Sequence, residues 1–286
     1  MGKARAFLEV FASALNEDFR FPVLEIFAFI HPLVIFVSLY FITGGGPGGQ
    51  TGLFFQLIQL AGPEEVKVLI VGYLAGLFTF AFVSPIFGML ILKNIAYSFG
   101  NDLERGVIQN ILSYPLKRRS LLTAKLLSSI GVVYMLSVGI QIFELFILVP
   151  NIVSQHIALL LFVLVAGLSF PFLVAGLVLI LTLFLKRGSK ALFVGIALYF
   201  SSFFLMMILL VIAGGTGSDI VLKIAAIIFP GLALQLHYKA AGLDPLYFKL
   251  WTPSFTESVL YVGAGYALAF LILAVGYLYF ERRLEV

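Results

Sequence analysis

Between His156 and Leu185 the chain carries no Asp, Glu, Lys or Arg. A helix crosses the hydrocarbon core of a bilayer with about 20 apolar residues, and this run exceeds that length. Five other stretches are also long enough: Pro22–Ile42, Val66–Leu92, Leu121–Val149, Ala191–Ala213 and Phe255–Phe280. Only 11% of the residues are charged, against about a quarter in a soluble domain. Too little polar surface exists to cover a globule, so lipid must be the solvent. The backbone of each span must then satisfy its own hydrogen bonds, which favours helices. The sequence therefore predicts an all-α integral membrane protein with six transmembrane helices, residues 1–286 forming a single transmembrane domain. Pro32, Pro85 and Pro171 fall inside spans, where each removes a backbone donor and is expected to kink its helix.

Lysine and arginine set the orientation. With six spans, Lys67, Lys223, Lys239 and Lys249 fall on one side, and the other 14 of the 18 basic residues fall on the opposite side. That bias predicts a multi-pass protein of the cell membrane with both termini in the cytoplasm. The absence of cysteine excludes disulfides, thiolate nucleophiles and Cys-ligated metals. No basic footprint for nucleic acid is present. Glu9, Asn16, Glu17 and Asp18 interrupt any signal-peptide core near the start.

Residues 1–20 have a different pattern. Phe7, Leu8, Phe11, Leu15 and Phe19 recur at helical spacing, with Lys3, Arg5, Glu9, Ser13, Asn16, Glu17 and Arg20 opposite. This reads as an amphipathic helix in the membrane interface; packing against the bundle is the alternative. Two outer loops are long. Residues 43–65 contain a Gly-Gly-Gly-Pro-Gly-Gly run without helix propensity. Residues 214–253 contain two apolar runs, Ile220–Phe229 and Leu232–Leu236, divided by Pro230-Gly231. Neither half can span, which predicts re-entrant or interfacial outer helices before the last span. Trp251 and Tyr247 are expected at headgroup level.

The charges concentrate on residues 99–117. Asn101 and Glu104 have capping-box spacing, and Asp102 and Glu104 occupy what would be a first helical turn. Leu103, Val107 and Ile111 repeat beside Ile108 and Leu112, and Pro115 ends the pattern. A short cytoplasmic helix between the second and third spans is expected. Lys117, Arg118 and Arg119 follow at the membrane surface. Two readings fit: a docking platform for a soluble partner, or a helix that only orients two spans and places its bases on lipid headgroups.

This pattern resembles the ABC type-2 exporter permeases. The matching residues are Asp102, Glu104, Arg105, Gly106, Ile111, Leu112, Pro115, Arg118 or Arg119, Leu121, Leu122 and Lys125. Val107 departs from the family's usual Thr, and the acidic position fits either Asp102 or Glu104. The resemblance implies that residues 99–117 are a coupling helix, with Asp102, Glu104, Arg105, Gly106, Val107, Ile111 and Pro115 docking a separate ATPase. It also implies a second permease copy or a related permease, with the first, second and fifth spans lining a path between them. ATP and Mg would belong to the partner ATPase, since this chain has no phosphate-binding G-x-x-x-x-G-K-[ST] loop. The chain itself is then a transport subunit that binds no cofactor and is not an enzyme.

Within the spans, Tyr134, Ser137, Gln141 and Glu144 share one helix face. A carboxylate at membrane depth faces the bundle or water. Glu144 is either part of a polar substrate path or a group near the outer interface. Tyr199 and Phe203 belong to an aromatic, Met-rich fifth span that suits an apolar or amphipathic substrate; packing accounts for the same composition. His31, beside Pro32, reads as structural, and no second span histidine offers a metal partner. The alternative function is an ion-coupled secondary transporter using Glu144, which calls for internal repeats and charge pairs that the sequence does not display.

Overall fold

The computed structural model describes residues 3–20, 66–68, 89–112, 117–135, 150–238 and 250–282, with positions 29, 33, 139, 142, 143, 146 and 147. Among them there is no strand. The elements are α1 (Lys3–Asp18), a π-helical segment (Leu92–Phe99), α2 (Gly100–Glu104), α3 (Val107–Leu112), α4 (Arg118–Tyr134), α5 (Pro150–Leu185), α6 (Gly188–Thr216), α7 (Asp219–Ile228), α8 (Gly231–Tyr238) and α9 (Phe255–Arg282).

Three of these helices are long and apolar enough to cross a bilayer: Val153–Leu185 within α5, α6 and α9. Most of the first and second predicted spans lies outside the described residues, as does much of the third beyond Met135. α5 and α9 share the most extensive helix–helix contact. Small residues permit it: a Cβ at Gly176 would lie 2.9 Å from Ile272, and one at Gly276 would lie 2.9 Å from Leu179.

Pro171 does not break α5. The non-helical torsions are at His156 (φ −118°, ψ 23°), so the bend sits near the start of the helix rather than at the proline. Ser169 Oγ donates to Ala166 O at 2.8 Å, supplying a side-chain donor close to where the proline lacks one.

The region after α6 forms two short helices. α6 ends at Gly217, whose φ of +68° turns the chain. α7 and α8 meet at Phe229-Pro230, and α8 is buried from Gly231 to Leu236. Trp251 is buried: its ring meets Tyr261 edge-on at 5.0 Å, and Lys223 Nζ lies 5.9 Å above it. Lys223 also bonds Asp219 one turn away at 2.8 Å. Tyr247 lies outside the described residues.

α1 packs along α4. Ala14 is buried, and Val10, Leu15 and Phe19 pack against the main core. Leu8 departs from the expected apolar stripe and is 61% exposed. The reason is that α1 uses the Val10–Ala14–Asp18 line for contact, which rotates Leu8 outward.

Candidate docking segment and its ionic anchor

The expected single capped helix over the charged island is instead a bent run of three helical pieces. The π-helical segment passes into α2 through Phe99 and Gly100, both right-handed helical. Asn101 therefore sits inside a helix and caps nothing, because the preceding segment leaves no helix start there. α2 stops at Arg105, and Gly106 takes φ +71° before α3 begins. An L side chain rarely adopts that torsion.

This bent segment is anchored from behind by charges. Lys125 on α4 is only 12% exposed and donates to Asp102 Oδ2 at 2.8 Å and Glu17 Oε2 at 2.6 Å. Ser98 Oγ donates to the other oxygen of Glu17. Asp18 accepts from Ser128 Oγ at 2.5 Å and Ser129 Oγ at 3.2 Å. Lys93 Nζ donates to the carbonyls of Asp18 at 3.1 Å and Glu17 at 3.4 Å, placing a cation on the last carbonyls of α1. The end of α1, the π-helical segment, α2 and α4 thus meet around Lys125. A buried charge is tolerated where it is paired and hydrogen-bonded, and this junction supplies both.

The environment divides the carboxylates. Burial works to raise Glu17, but hydrogen bonds from Lys125 and Ser98 and the charges of Lys125 and Lys93 outweigh it and hold it below its ordinary value. Burial raises Asp18 and Asp102 above theirs, against the Ser128 bond at Asp18 and Lys125 at Asp102.

A carboxyl with a raised pKa binds its proton more readily when folded. Its contribution therefore turns against the folded state as pH climbs from the ordinary 3.8 through the raised value. Asp18→Asn removes that penalty and leaves an oxygen to accept from Ser128. The melting-temperature difference between Asp18→Asn and wild type is expected to move in favour of the variant between about pH 4 and about pH 7. A difference that stays flat across that range overturns the assignment.

A second tie fixes the other side of α2. A Cβ at Gly100 would lie 2.7 Å from Gly188 Cα, and one at Gly188 would run into Asn101 Oδ1 and lie 2.8 Å from Tyr97 O. The backbones of α2 and α6 thus touch where α6 begins. Glu104 Oε2 accepts the Gly188 N–H at 3.3 Å, so the predicted capping carboxylate serves α6 instead of its own helix.

The predicted docking residues separate accordingly. Asp102 is 16% exposed on its carboxylate side and faces Lys125. Ile111 is partly buried against the core beside the fully buried Ile108. Glu104, Arg105, Val107, Gln109 and Asn110 are exposed, with Gly106 half-buried at the bend between them. Pro115 lies outside the described residues.

Of the predicted path residues, Tyr134 is half-buried against the core, and Tyr199 is buried with its ring 6.5 Å from Phe170. Ser137, Gln141 and Glu144, and the side chain of Phe203, lie outside the described residues. Two buried side-chain amides, Asn94 in the π-helical segment and Gln235 in α8, make no hydrogen bond. Among the described residues, no group of three His, Cys, Asp or Glu is arranged to hold a metal. His237 Nδ1 lies 3.0 Å from Pro253 O.

Sequence reasoning singled out Lys125 within a motif and Glu17 and Asp18 as interruptions of a signal core, but did not join them. The signal was available: a lysine inside a predicted span demands a carboxylate partner. Neither a family model nor a curated protein matches this sequence.

Proposed function

We propose that this chain is the membrane subunit of an ATP-driven exporter, and that a separate ATPase docks on Arg105, Val107 and their neighbours along residues 100–112. The supporting observation is the asymmetry of that segment. Its inner side is fixed by Lys125–Asp102, Glu104–Gly188 and buried Ile108, while Arg105, Val107 and Gln109 project from a bend at Gly106. A platform that receives force needs a stiff back and an accessible front. Asp102 belongs to the back of this platform and Arg105 to the front.

In this reading, two copies, or this chain and a related one, each carry an ATPase subunit with its ATP and Mg. Nucleotide-driven closure of the ATPases moves the docking segments and shifts the spans between two arrangements. Six spans, cytoplasmic termini and a re-entrant α7–α8 pair complete the architecture. Tyr134, Ser137, Gln141 and Glu144 supply the polar face of the path. Tyr199 is engaged with Phe170, so the aromatic share of the lining passes to its neighbours on α6.

The test is gentle extraction from the native membrane, followed by purification and assay for a P-loop ATPase. Wild type is expected to retain one that hydrolyses ATP. Arg105→Glu/Val107→Asp is expected to lower its recovery about tenfold or more with the melting temperature of the chain unchanged. Recovery of no ATPase with wild type overturns the exporter reading. Equal recovery with both proteins removes residues 105–107 from the docking surface.

A further inference from the structure

We infer that the turn between α5 and α6 binds the phosphate headgroup of an anionic phospholipid. Lys186, Arg187 and Lys190 fall within five residues and are all exposed. Among the described residues none of them pairs with a carboxylate. The nearby carboxylate, Glu104, is directed at the Gly188 N–H instead. Three exposed cations, two on the turn and one in the first turn of α6, thus stand without a carboxylate partner among the described residues.

The level of this turn relative to a bilayer follows from the helices it joins. α5 and α6 are both long and apolar enough to span, and α5 ends at Leu185, one residue before the turn. Phe184 and Phe193, the exposed large apolar side chains nearest the turn on either side, are 73% and 76% exposed. Exposed phenyl rings two residues before Lys186 and three residues after Lys190 belong among acyl chains. The bases between them then sit at the headgroup plane. Lys186 adopts φ +52°, which reverses the chain tightly and keeps the bases on one short connection. A phosphodiester carrying a net negative charge matches this set, whereas a zwitterionic headgroup brings its own cation. This assignment rests on α5 and α6 crossing a bilayer and does not depend on ATPase docking.

Each base near an anionic membrane surface contributes about fivefold to binding, so the three together are expected to exceed tenfold. The experiment reconstitutes the full chain in nanodiscs of mixed phosphatidylglycerol and phosphatidylcholine, then counts retained lipids by native mass spectrometry. Lys186→Gln/Arg187→Gln/Lys190→Gln is compared with a control removing the same charge elsewhere, Arg5→Gln/Lys117→Gln/Arg282→Gln. Wild type is expected to retain phosphatidylglycerol selectively, the triple variant to lose that preference more than tenfold, and the control to keep it. Equal loss in both variants overturns the site in favour of general charge attraction. Displacement of the lipid by inorganic phosphate overturns it in favour of a free-anion site. Unchanged lipid retention in the triple variant, with or without loss of a co-purified ATPase, also overturns it; loss of the ATPase alone would assign the turn to protein docking.

Discussion

Lys125→Met is expected to lower the stability of the purified chain by about 3 kcal/mol. The substitution preserves length and apolar packing while removing the cation shared by Glu17 and Asp102. Breaking a buried ion pair from one side costs about 3–5 kcal/mol because a charge is left without compensation. The lower end applies here, since Glu17 is partly exposed and water recovers some of its solvation. Thermal or denaturant unfolding in a fixed detergent measures the loss. The cause is then separated by a second variant. Adding Glu17→Gln and Asp102→Asn to Lys125→Met is expected to recover more than half of the stability, because neutral amides do not need the lysine. If the triple variant is no more stable than Lys125→Met, the loss comes from packing and the ionic anchor is not its source.

Gly100→Val is expected to destabilise the chain by about 3 kcal/mol, at the upper end of the overpacking range. The new Cβ would lie 2.7 Å from Gly188 Cα and 3.1 Å from Gly188 N, both backbone atoms, with the Thr182 methyl at 3.3 Å. A flexible side chain could swing aside, but a helix start cannot. Relief requires α2 and α6 to separate, which also lengthens the Glu104–Gly188 bond. Gly100→Ala is expected to cost less, about 1–2 kcal/mol, so the pair forms a graded series in unfolding measurements. Gly131→Ala, with nothing within 4 Å of its Cβ, serves as the helical control and should not destabilise. Equal effects at positions 100 and 131 would contradict the close approach.

Much of the scaffold was legible because apolar length is a strong and local signal. The fourth, fifth and sixth predicted spans correspond to α5, α6 and α9, with ends shifted by a few residues. Both α5 and α6 start earlier than hydropathy suggested, since Pro150 can open a helix without needing its missing N–H and Gly188 is accommodated by its contact with α2. The break at Pro230 was legible for the same reason: two apolar runs too short to span flank a proline. The bend at Gly106 was not, because the four-residue spacing of Leu103, Val107 and Ile111 is equally compatible with one helix. Local pattern also misassigned Glu104. Capping-box spacing describes neighbours in sequence, whereas the N–H that Glu104 meets belongs to Gly188, brought close only by the packing of α2 on α6. The ionic junction failed to emerge for a related reason. Glu17, Asp102 and Lys125 are far apart in sequence: the docking of α1 along α4 brings Glu17 to Lys125, and the placement of α2 beside α4 brings Asp102 to it.

The π-helical segment holds chain in reserve. Bonding from residue i to i+5 places one more residue in a turn than α-helical bonding does. Restoring α geometry over Leu92–Phe99 would release that residue, equivalent to about 1.5 Å of rise and about 100° of rotation. The slack lies immediately before α2, between it and the rest of the second predicted span. It also contains Asn94, whose buried amide is unsatisfied in the present winding. The winding therefore carries the cost of a buried, unpartnered amide. A pull or push at α2 has a defined place to be absorbed: about two turns of helix, with a travel of about one residue.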